Sequence, residues 1–223
     1  MKAILTFCSA IIMLSATAQV STTTMLSLAP AGQIRLNFYS GYVFDDRVDV
    51  PENNFYGTVK GGYQWGAGVE YMVRPNQSVE LLYIRQNTIA ATRNTAFTNA
   101  IDYNLGINYI MLASNRYFSK PGSRVEGFAG AMIGMNITGV ENPKNQRKET
   151  LTKLGIGMRG GVNFWATGKL GIRLQAQLLS AVQGFGGGLY IGTGGVGVGA
   201  STYSSIYQFS LGGGLVYRLE GKN

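Results

Sequence analysis

Most of the chain alternates apolar and polar residues, the pattern of β-strands in which successive side chains point to opposite faces. The first such segment, residues 34–44, has Ile34 and Phe38 on one face and Arg35 on the other. About eight segments of this kind recur, and no helical period intervenes between them. The pattern therefore predicts an all-β protein. The other segments are expected at 59–73, 79–85, 101–111, 125–137, 154–164, 170–178 and 207–219.

The connections between these segments alternate between long and short. Short turns are expected near 74–77, 119–123 and 166–169, and longer loops at 45–52, 87–100, 138–152 and 183–205. With an even number of strands, both ends of the chain then lie on the short-turn side of the barrel. Bacterial outer-membrane barrels have this arrangement, with short periplasmic turns and longer external loops.

Charged residues inside the segments fall on the less apolar face, with Arg85 as the exception. Arg85 lies at the outer end of its segment, where lipid headgroups would meet it. A Lys or Arg on a lipid-facing position costs about 2–4 kcal/mol at the membrane midplane and about 0–1 kcal/mol near the interface. The remaining strand charges are predicted to face the lumen: Arg35, Lys60, Glu70, Glu80, Asp102, Glu126, Arg159, Arg173 and Arg218.

This distribution predicts that the apolar face of every segment, including Ile101–Met111, contacts lipid. Because lipid offers no partner to an open sheet edge, the sheet must close into an up-and-down transmembrane barrel of about eight strands. The alternative is a soluble lipocalin-like barrel, whose outer face would be rich in Lys and Glu instead of Gly, Asn and Gln. Aromatic residues are expected to form interfacial girdles near the two rims: Tyr42, Phe44, Tyr117, Phe118, Phe164, Trp165 and Tyr217.

The N-terminus has the composition of a signal peptide, with Lys2 before an apolar run and small residues at Ala16 and Ala18. We expect cleavage after Ala18, a lead-in arm at 19–32, the barrel at 33–219 and a short tail at 220–223. Cleavage removes Cys8, the only cysteine, and the chain has no histidine. Thiol and imidazole catalysis therefore lack their residues, and we predict no enzyme activity, no cofactor and no metal site.

The alternation, the loop pattern and the closing run YQFSLGGGLVYRL at 207–219 resemble small outer-membrane barrels of the OmpA/OmpX type. The closing run is similar to the C-terminal strand that the barrel-assembly machinery reads, although it ends in Leu219 instead of an aromatic residue. The resemblance implies a monomeric protein of a Gram-negative outer membrane, inserted by that machinery. Its surroundings would be membrane lipid and lipopolysaccharide. The scattered basic residues behind the net charge of +8 do not predict nucleic-acid binding.

Two functions remain open for such a barrel. A network of lumen charges could act as a static plug. The plugged barrel would then serve as a structural or interaction scaffold with four external loops. The same network could instead gate a narrow pore for ions or small solutes. Its predicted members are Arg35, Glu70, Glu80, Glu126, Arg159, Arg173 and Arg218.

The loops add two further expectations. An external basic loop containing Lys144, Arg147 and Lys148 could contact the phosphates of lipopolysaccharide. The run 192–197 matches G-x-G-x-x-G, but no helix pattern follows it, so a dinucleotide site is not expected. The Gly-rich stretch around it is predicted to be an external loop or an extra strand pair, which would give ten strands.

Overall fold

The structure is a computed structural model that describes residues 30–50, 55–94, 97–141, 148–182, 188–192, 195–199 and 206–219. The predicted signal peptide at 1–18, most of the lead-in arm, the tail at 220–223, Lys144 and Arg147 lie outside these residues. The described strands are β1 (Ile34–Val43), β2 (Asp46–Val50), β3 (Phe55–Val59), β4 (Gly62–Arg74), β5 (Gln77–Asn94), β6 (Phe97–Phe118), β7 (Val125–Glu141), β8 (Lys148–Trp165), β9 (Leu170–Val182), β10 (Gly188–Gly192), β11 (Gly195–Gly199) and β12 (Ile206–Arg218).

Eight of these strands form a closed antiparallel barrel, in the order β1, β4, β5, β6, β7, β8, β9 and β12. The barrel closes where β12 pairs with β1, from Arg35 opposite Arg218 to Val43 opposite Ser210. The prediction of a closed barrel of eight strands is therefore confirmed. Among the described residues, β10 and β11 pair only with each other, so the part of the Gly-rich connection that the structure describes is a separate hairpin and not a ninth and tenth barrel strand.

The two ends of the barrel differ. The start of β1, the end of β12 and the tight turns after β4, β6 and β8 share one end, which we call the short-turn end. Gly122 in the turn after β6 has a φ of 78°, a conformation that glycine adopts without steric cost. The opposite end, the long-loop end, carries the hairpin β2–β3, the hairpin β10–β11 and the connections after β5 and β7.

Large apolar side chains cover the outside of the barrel. Phe38 is 54% exposed, Leu81 59% and Met158 62%, and each alternates with a buried residue in its strand. A water-soluble protein rarely exposes a contiguous apolar patch of more than a few hundred Å². The outer surface is therefore suited to contact with lipid, and the soluble lipocalin-like barrel is excluded. Within the described ranges, no helix is long and apolar enough to cross a membrane.

One predicted face is wrong. The apolar residues Tyr103, Leu105, Ile107, Tyr109 and Met111 of β6 point into the barrel and are buried. β6 has 22 residues, whereas about 9–11 residues suffice to cross a membrane. Its first half therefore extends past the lipid at the long-loop end, where the outer face of the sheet meets water and the apolar face turns inward. Asn104, on the same stretch, is exposed. Tyr109 and Met111 lie in the second half and join the apolar cluster that fills the lumen there, while Ile110 and Leu112 face outward.

Several predicted boundaries also need correction. The polar residues 87–100 are mostly strand, because β5 continues to Asn94 and β6 begins at Phe97. The loops expected at 45–52 and 138–152 likewise contain strand residues. Where a sheet extends into water, its outward positions are polar. Such strands resemble loops in composition, and composition therefore predicts loops for these stretches. Lys60 lies between β3 and β4 and is exposed, not in the lumen, and the side chain of Asp102 lies outside what the structure describes.

The aromatic girdles are correct only for part of the predicted set. Phe118, Phe164 and Tyr217 are exposed at the short-turn end, and Tyr42 and Phe44 are exposed toward the long-loop end. Tyr117 and Trp165 instead point inward and are 3% exposed. Both occupy positions of the same parity as polar lumen residues in their strands. Their side chains therefore point into the lumen, although both residues lie near the rim.

Gly214 on β12 is a point of close approach between strands. A Cβ at this inward position would overlap the Phe38 carbonyl oxygen of β1. We expect Gly214→Ala to lower the free energy of unfolding by about 1–3 kcal/mol, because the strands must shift apart. Urea titrations read by gel mobility in detergent measure the effect. Gly139→Ala is the control, since a Cβ there meets its nearest atom at 4.0 Å. Equal losses in both variants would contradict the steric explanation.

Candidate functional site

The lumen is divided into two halves of different chemistry. Toward the short-turn end, the inward residues are mostly charged or polar and are completely buried. Toward the long-loop end, an apolar cluster that contains Leu82, Ile84 and Met111 is mixed with buried polar side chains such as Gln86 and Gln208. Glycines on the inner face of β4, β7, β8 and β12 leave room for the large side chains that meet in the middle. The charged half is the candidate functional site.

Arg35 and Glu126 form the ion pair nearest the short-turn end. The Arg35 Nη1 atom lies 3.0 Å from Glu126 Oε2, and Nη2 donates to Oε1 at 3.2 Å. Two parallel hydrogen bonds make this pair bidentate, the stronger geometry for an arginine and a carboxylate. The Arg35 guanidinium also lies 4.8 Å from the ring centre of Tyr117 and 5.2 Å from that of Trp165. β1 and β7 are thereby joined across the lumen.

Arg159 and Glu80 form a second ion pair, deeper in the barrel. The Arg159 Nη2 atom donates to Glu80 Oε2, and both side chains are fully buried. The other Glu80 oxygen accepts hydrogen bonds from Tyr39 Oη and from Asn37 Nδ2, the latter at 2.9 Å. Asn115 Oδ1 accepts from Arg159 Nε at 3.1 Å. The Glu80 carboxylate therefore connects its own strand β5 to β1 and β8, and Arg159 extends these contacts to β6.

Arg173 lies between Glu80 and the third carboxylate, that of Glu70. Its Nη2 lies 3.6 Å from Glu70 Oε2, and its Nη1 lies 3.9 Å from Glu80 Oε2. The Arg173 Nε atom donates to Asn163 Oδ1 at 2.9 Å, and Nη2 donates to Tyr117 Oη at 3.1 Å. Arg35, Arg159 and Arg173 thus balance three glutamates. Balanced, hydrogen-bonded charges are the form in which burial is tolerated.

Arg218 differs from the other six predicted network residues. Its guanidinium lies 3.4 Å from the ring centre of Trp165, and Nη1 contacts the Gly168 carbonyl oxygen at 3.4 Å. Among the described residues, it makes no ion pair. Its position at the short-turn rim places it beside the pair of Arg35 and Glu126, so it closes the lumen at that end by stacking on an indole.

Sequence reasoning missed the neutral members of the network. Asn37, Tyr39, Asn115 and Asn163 supply most of the hydrogen bonds to its charged groups. Ser78 and Tyr117 each donate to Glu70 Oε1. Asn37, Tyr39, Ser78 and Asn163 share the parity of network charges on their own strands, and that parity could have identified them from the sequence. Asn115 and Tyr117 lie on β6, where the predicted inward face is wrong, so parity did not indicate them.

The long-loop end carries charges of a different kind. Lys148 Nζ lies 3.4 Å from Glu141 Oε2, and its side chain is 71% exposed, so part of the expected basic loop is paired. At the rim, Asp45 Oδ1 accepts from the Gly61 N–H and Asp46 Oδ2 from the Tyr207 N–H. Partial burial raises the pKa of Asp46. These carboxylates fasten the β1–β2 connection to neighbouring strands.

The candidate site offers no set of metal ligands. Over the ranges that the structure describes, no group of three or more Asp, Glu, His or Cys residues is placed to hold a metal ion. The three network glutamates are instead engaged by arginines, amides and hydroxyls. The arrangement can hold side chains in fixed positions across the lumen.

Comparisons with known proteins identify the fold. The crystal structure of the neisserial surface protein A matches with a TM-score of 0.55 and 12% identity, covering 85% of this chain and 98% of that one. The outer membrane protein OprG from Pseudomonas aeruginosa matches with a TM-score of 0.56 and 13% identity, covering 88% of this chain and 100% of that one. No family model and no curated protein matches the chain. At these identities the likeness concerns architecture: the chain has the fold of small outer-membrane β-barrels.

Proposed function

We propose that this protein is an integral outer-membrane scaffold whose lumen is closed by its own side chains. The closure at two levels supports the proposal most directly. The short-turn half holds the network of Arg35, Arg159 and Arg173 with three glutamates, and the long-loop half holds buried apolar and uncharged polar side chains. An ion crossing the barrel would have to separate buried ion pairs and then displace these side chains. Function is then carried by the outer surface and the long-loop end.

The orientation follows from the lengths of the connections. Bacterial outer-membrane barrels have short turns in the periplasm and long loops outside the cell. The proposed orientation therefore puts the short-turn end in the periplasm and the long-loop end outside. The signal peptide expected at 1–18 would direct export of the chain into the periplasm. The hairpins β2–β3 and β10–β11 would then face the surroundings of the cell, where a scaffold meets its partners.

A filled lumen predicts that the purified protein does not conduct. In planar bilayers at high salt, we expect no steady unitary current above that of protein-free membranes. A porin examined in the same apparatus provides the positive control. Heat-dependent migration on gels verifies that the reconstituted protein is a folded barrel. A steady, size-selective current from the folded protein would refute the closed lumen.

A narrow gated pore is the second candidate function, and the position of Arg173 favours it. This side chain lies between Glu70 and Glu80 at 3.6 and 3.9 Å, so small movements could exchange its partner. After such an exchange, hydrogen bonds from Ser78 and Tyr117 would still hold the Glu70 carboxylate. In the same bilayers, a current that appears in folded Arg173→Gln protein and is absent from the unsubstituted protein would support the gate.

A further inference from the structure

One exposed arginine lies on the lipid-facing side of the barrel near the short-turn end. Arg116 and Ser114 occupy successive outward positions of β6, and the exposed Phe118 lies one outward position closer to the rim. Within the part of the chain that the structure describes, the Arg116 side chain makes no hydrogen bond and no ion pair. A cation on this side of a membrane barrel is costly away from the interface, so Arg116 needs an anionic partner near the headgroups.

A groove of about 800 Å³ opens in the outer wall beside Arg116. Its floor is a row of small residues in which each residue pairs with the next across β7, β8 and β9: Ala129, Gly160 and Ala176. Ala129 also pairs with Arg116 of β6. Bulkier apolar residues line the side of the groove toward the long-loop end: Met158, Leu178 and Phe209. The groove is therefore an apolar surface that starts at a cation.

The groove rises from the short-turn end toward the middle of the wall. The row that forms its floor begins at Gln77, beside the turn after β4, and Gln77 pairs with Arg116. At the other end of the row, Ala176 pairs with Leu211, which pairs in turn with Tyr42, a residue exposed toward the long-loop end. A flexible chain whose charged end lies at Arg116 can therefore follow the groove into the interior of the bilayer.

The charges around Arg116 select an anion. The residues that line the groove include no Asp and no Glu. Lys120 and Arg124, in the turn after β6, are exposed on the same end of the barrel. Among the described residues of that end no carboxylate is exposed, because the three glutamates of the lumen network are buried and held by arginines. A headgroup that carries an ammonium would therefore find no carboxylate here to pair with.

A second copy of the chain does not supply this anion. Two copies with the same orientation in one membrane face each other at the same height. The described carboxylates that are not buried all lie at the long-loop end: Asp45, Asp46, Glu141 and Glu149. None of them is at the level of Arg116. A membrane lipid, in contrast, supplies both an anion at headgroup level and an apolar chain for the groove.

We propose that Arg116 and this groove bind an anionic phospholipid of the periplasmic leaflet. The lipid phosphate accepts charge-assisted hydrogen bonds from the Arg116 guanidinium, a group suited to phosphate. One acyl chain lies in the groove and covers Ala129, Gly160 and Ala176. Elsewhere the outer wall presents bulky side chains to any adjoining lipid, whereas this site selects a headgroup. The inference rests on the proposed orientation, which places the short-turn end in the periplasmic leaflet.

Binding of phosphatidylglycerol to the detergent-folded, full-length protein, measured by native mass spectrometry, tests the proposal. We expect Arg116→Gln to weaken binding about tenfold or more, since the charge-assisted hydrogen bonds to phosphate are lost. Gly160→Leu should weaken it similarly by filling the groove. A Cβ at this position meets its nearest atom, the Phe128 carbonyl oxygen, at 3.5 Å, so the barrel accommodates the added side chain.

Two variants at the long-loop end are matched controls. Arg85→Gln removes another cation from an outward position, and Gly139→Leu adds the same side chain at an outward glycine whose Cβ would meet its nearest atom at 4.0 Å. Both should bind phosphatidylglycerol as the unsubstituted protein does. Heat-dependent gel migration verifies that each variant folds, and the charge variant decides if the leucine variant does not. Unchanged binding in Arg116→Gln, or an equal loss in Arg85→Gln, would overturn the proposal.

Other ligands define what the site recognises. Phosphatidylethanolamine carries an ammonium, inorganic phosphate has no acyl chain, and dihexanoyl phosphatidylglycerol has chains too short to fill the groove. Each is expected to bind more weakly than long-chain phosphatidylglycerol. Binding of phosphatidylethanolamine or of lipopolysaccharide as tight as that of phosphatidylglycerol would contradict the assignment. A conducting lumen would refute the scaffold function but leave these binding results unaffected, so the two proposals fail separately.

Discussion

Glu80→Leu is expected to lower the free energy of unfolding by about 3–5 kcal/mol, because it leaves a buried arginine without its carboxylate. Arg159 is fully buried and donates to Glu80 through Nη2. The substitution also removes the acceptor of Tyr39 and one acceptor of Asn37. Urea unfolding of the refolded protein, followed by tryptophan fluorescence and gel mobility, measures the loss.

The double variant Glu80→Leu/Arg159→Met separates pairing from packing. It removes both charges and keeps apolar volume in the lumen, so it should recover at least half of the loss caused by Glu80→Leu. Replacing both partners of a buried ion pair with well-packed apolar residues often costs a protein little stability. Glu141→Leu, which removes one partner of an exposed pair, should change stability far less. Strictly additive losses in the double variant would show that the two side chains do not act as a pair.

Met158→Lys is expected to destabilise the barrel by about 2–4 kcal/mol, because it places a cation at mid-height on the lipid-facing side. Met158 is 62% exposed and lies between Ala131 and Leu178 on the neighbouring strands. A lysine there cannot reach either interface without bending along the wall. Unfolding titrations in lipid vesicles, where the hydrocarbon core is present, give the energy.

Thr152→Lys is the control for that prediction, since it lies on the same strand and the same outward parity near the long-loop end. A lysine at the interface costs only about 0–1 kcal/mol. The difference in the free energy of unfolding between the two variants measures how the cost of a lysine on the outer face depends on its depth in the membrane. Equal and small losses would mean that water, not lipid, contacts Met158.

Alternation was sufficient to predict the fold, because a period of two records which face of a strand is apolar. It could not indicate on which side of the membrane boundary a strand segment lies. Tyr103 and Leu105 were therefore placed on the lipid side, although β6 has already left the lipid at that level. The rule reverses outside the membrane: apolar residues turn inward and polar residues turn outward.

The alternation of apolar and polar residues also could not predict which charged side chains pair in the lumen. Parity placed the network charges on one side of the sheet, and six of them do form ion pairs. Which arginine meets which glutamate depends on barrel curvature and on strand stagger, neither of which has a local signal. Arg116 was overlooked as an outward cation because β6 continues past Met111 to Phe118.

Contacts across the lumen join residues that are far apart in the chain, and this has a consequence for the order of assembly. Arg35 and Glu126 are 91 positions apart, and Arg173 reaches Tyr39 over 134 positions. An open, partly formed sheet would hold these groups apart in water, so its concave side would remain hydrated. Only the finished cylinder neutralises them, and we therefore expect curling and closure to precede complete transfer into the bilayer.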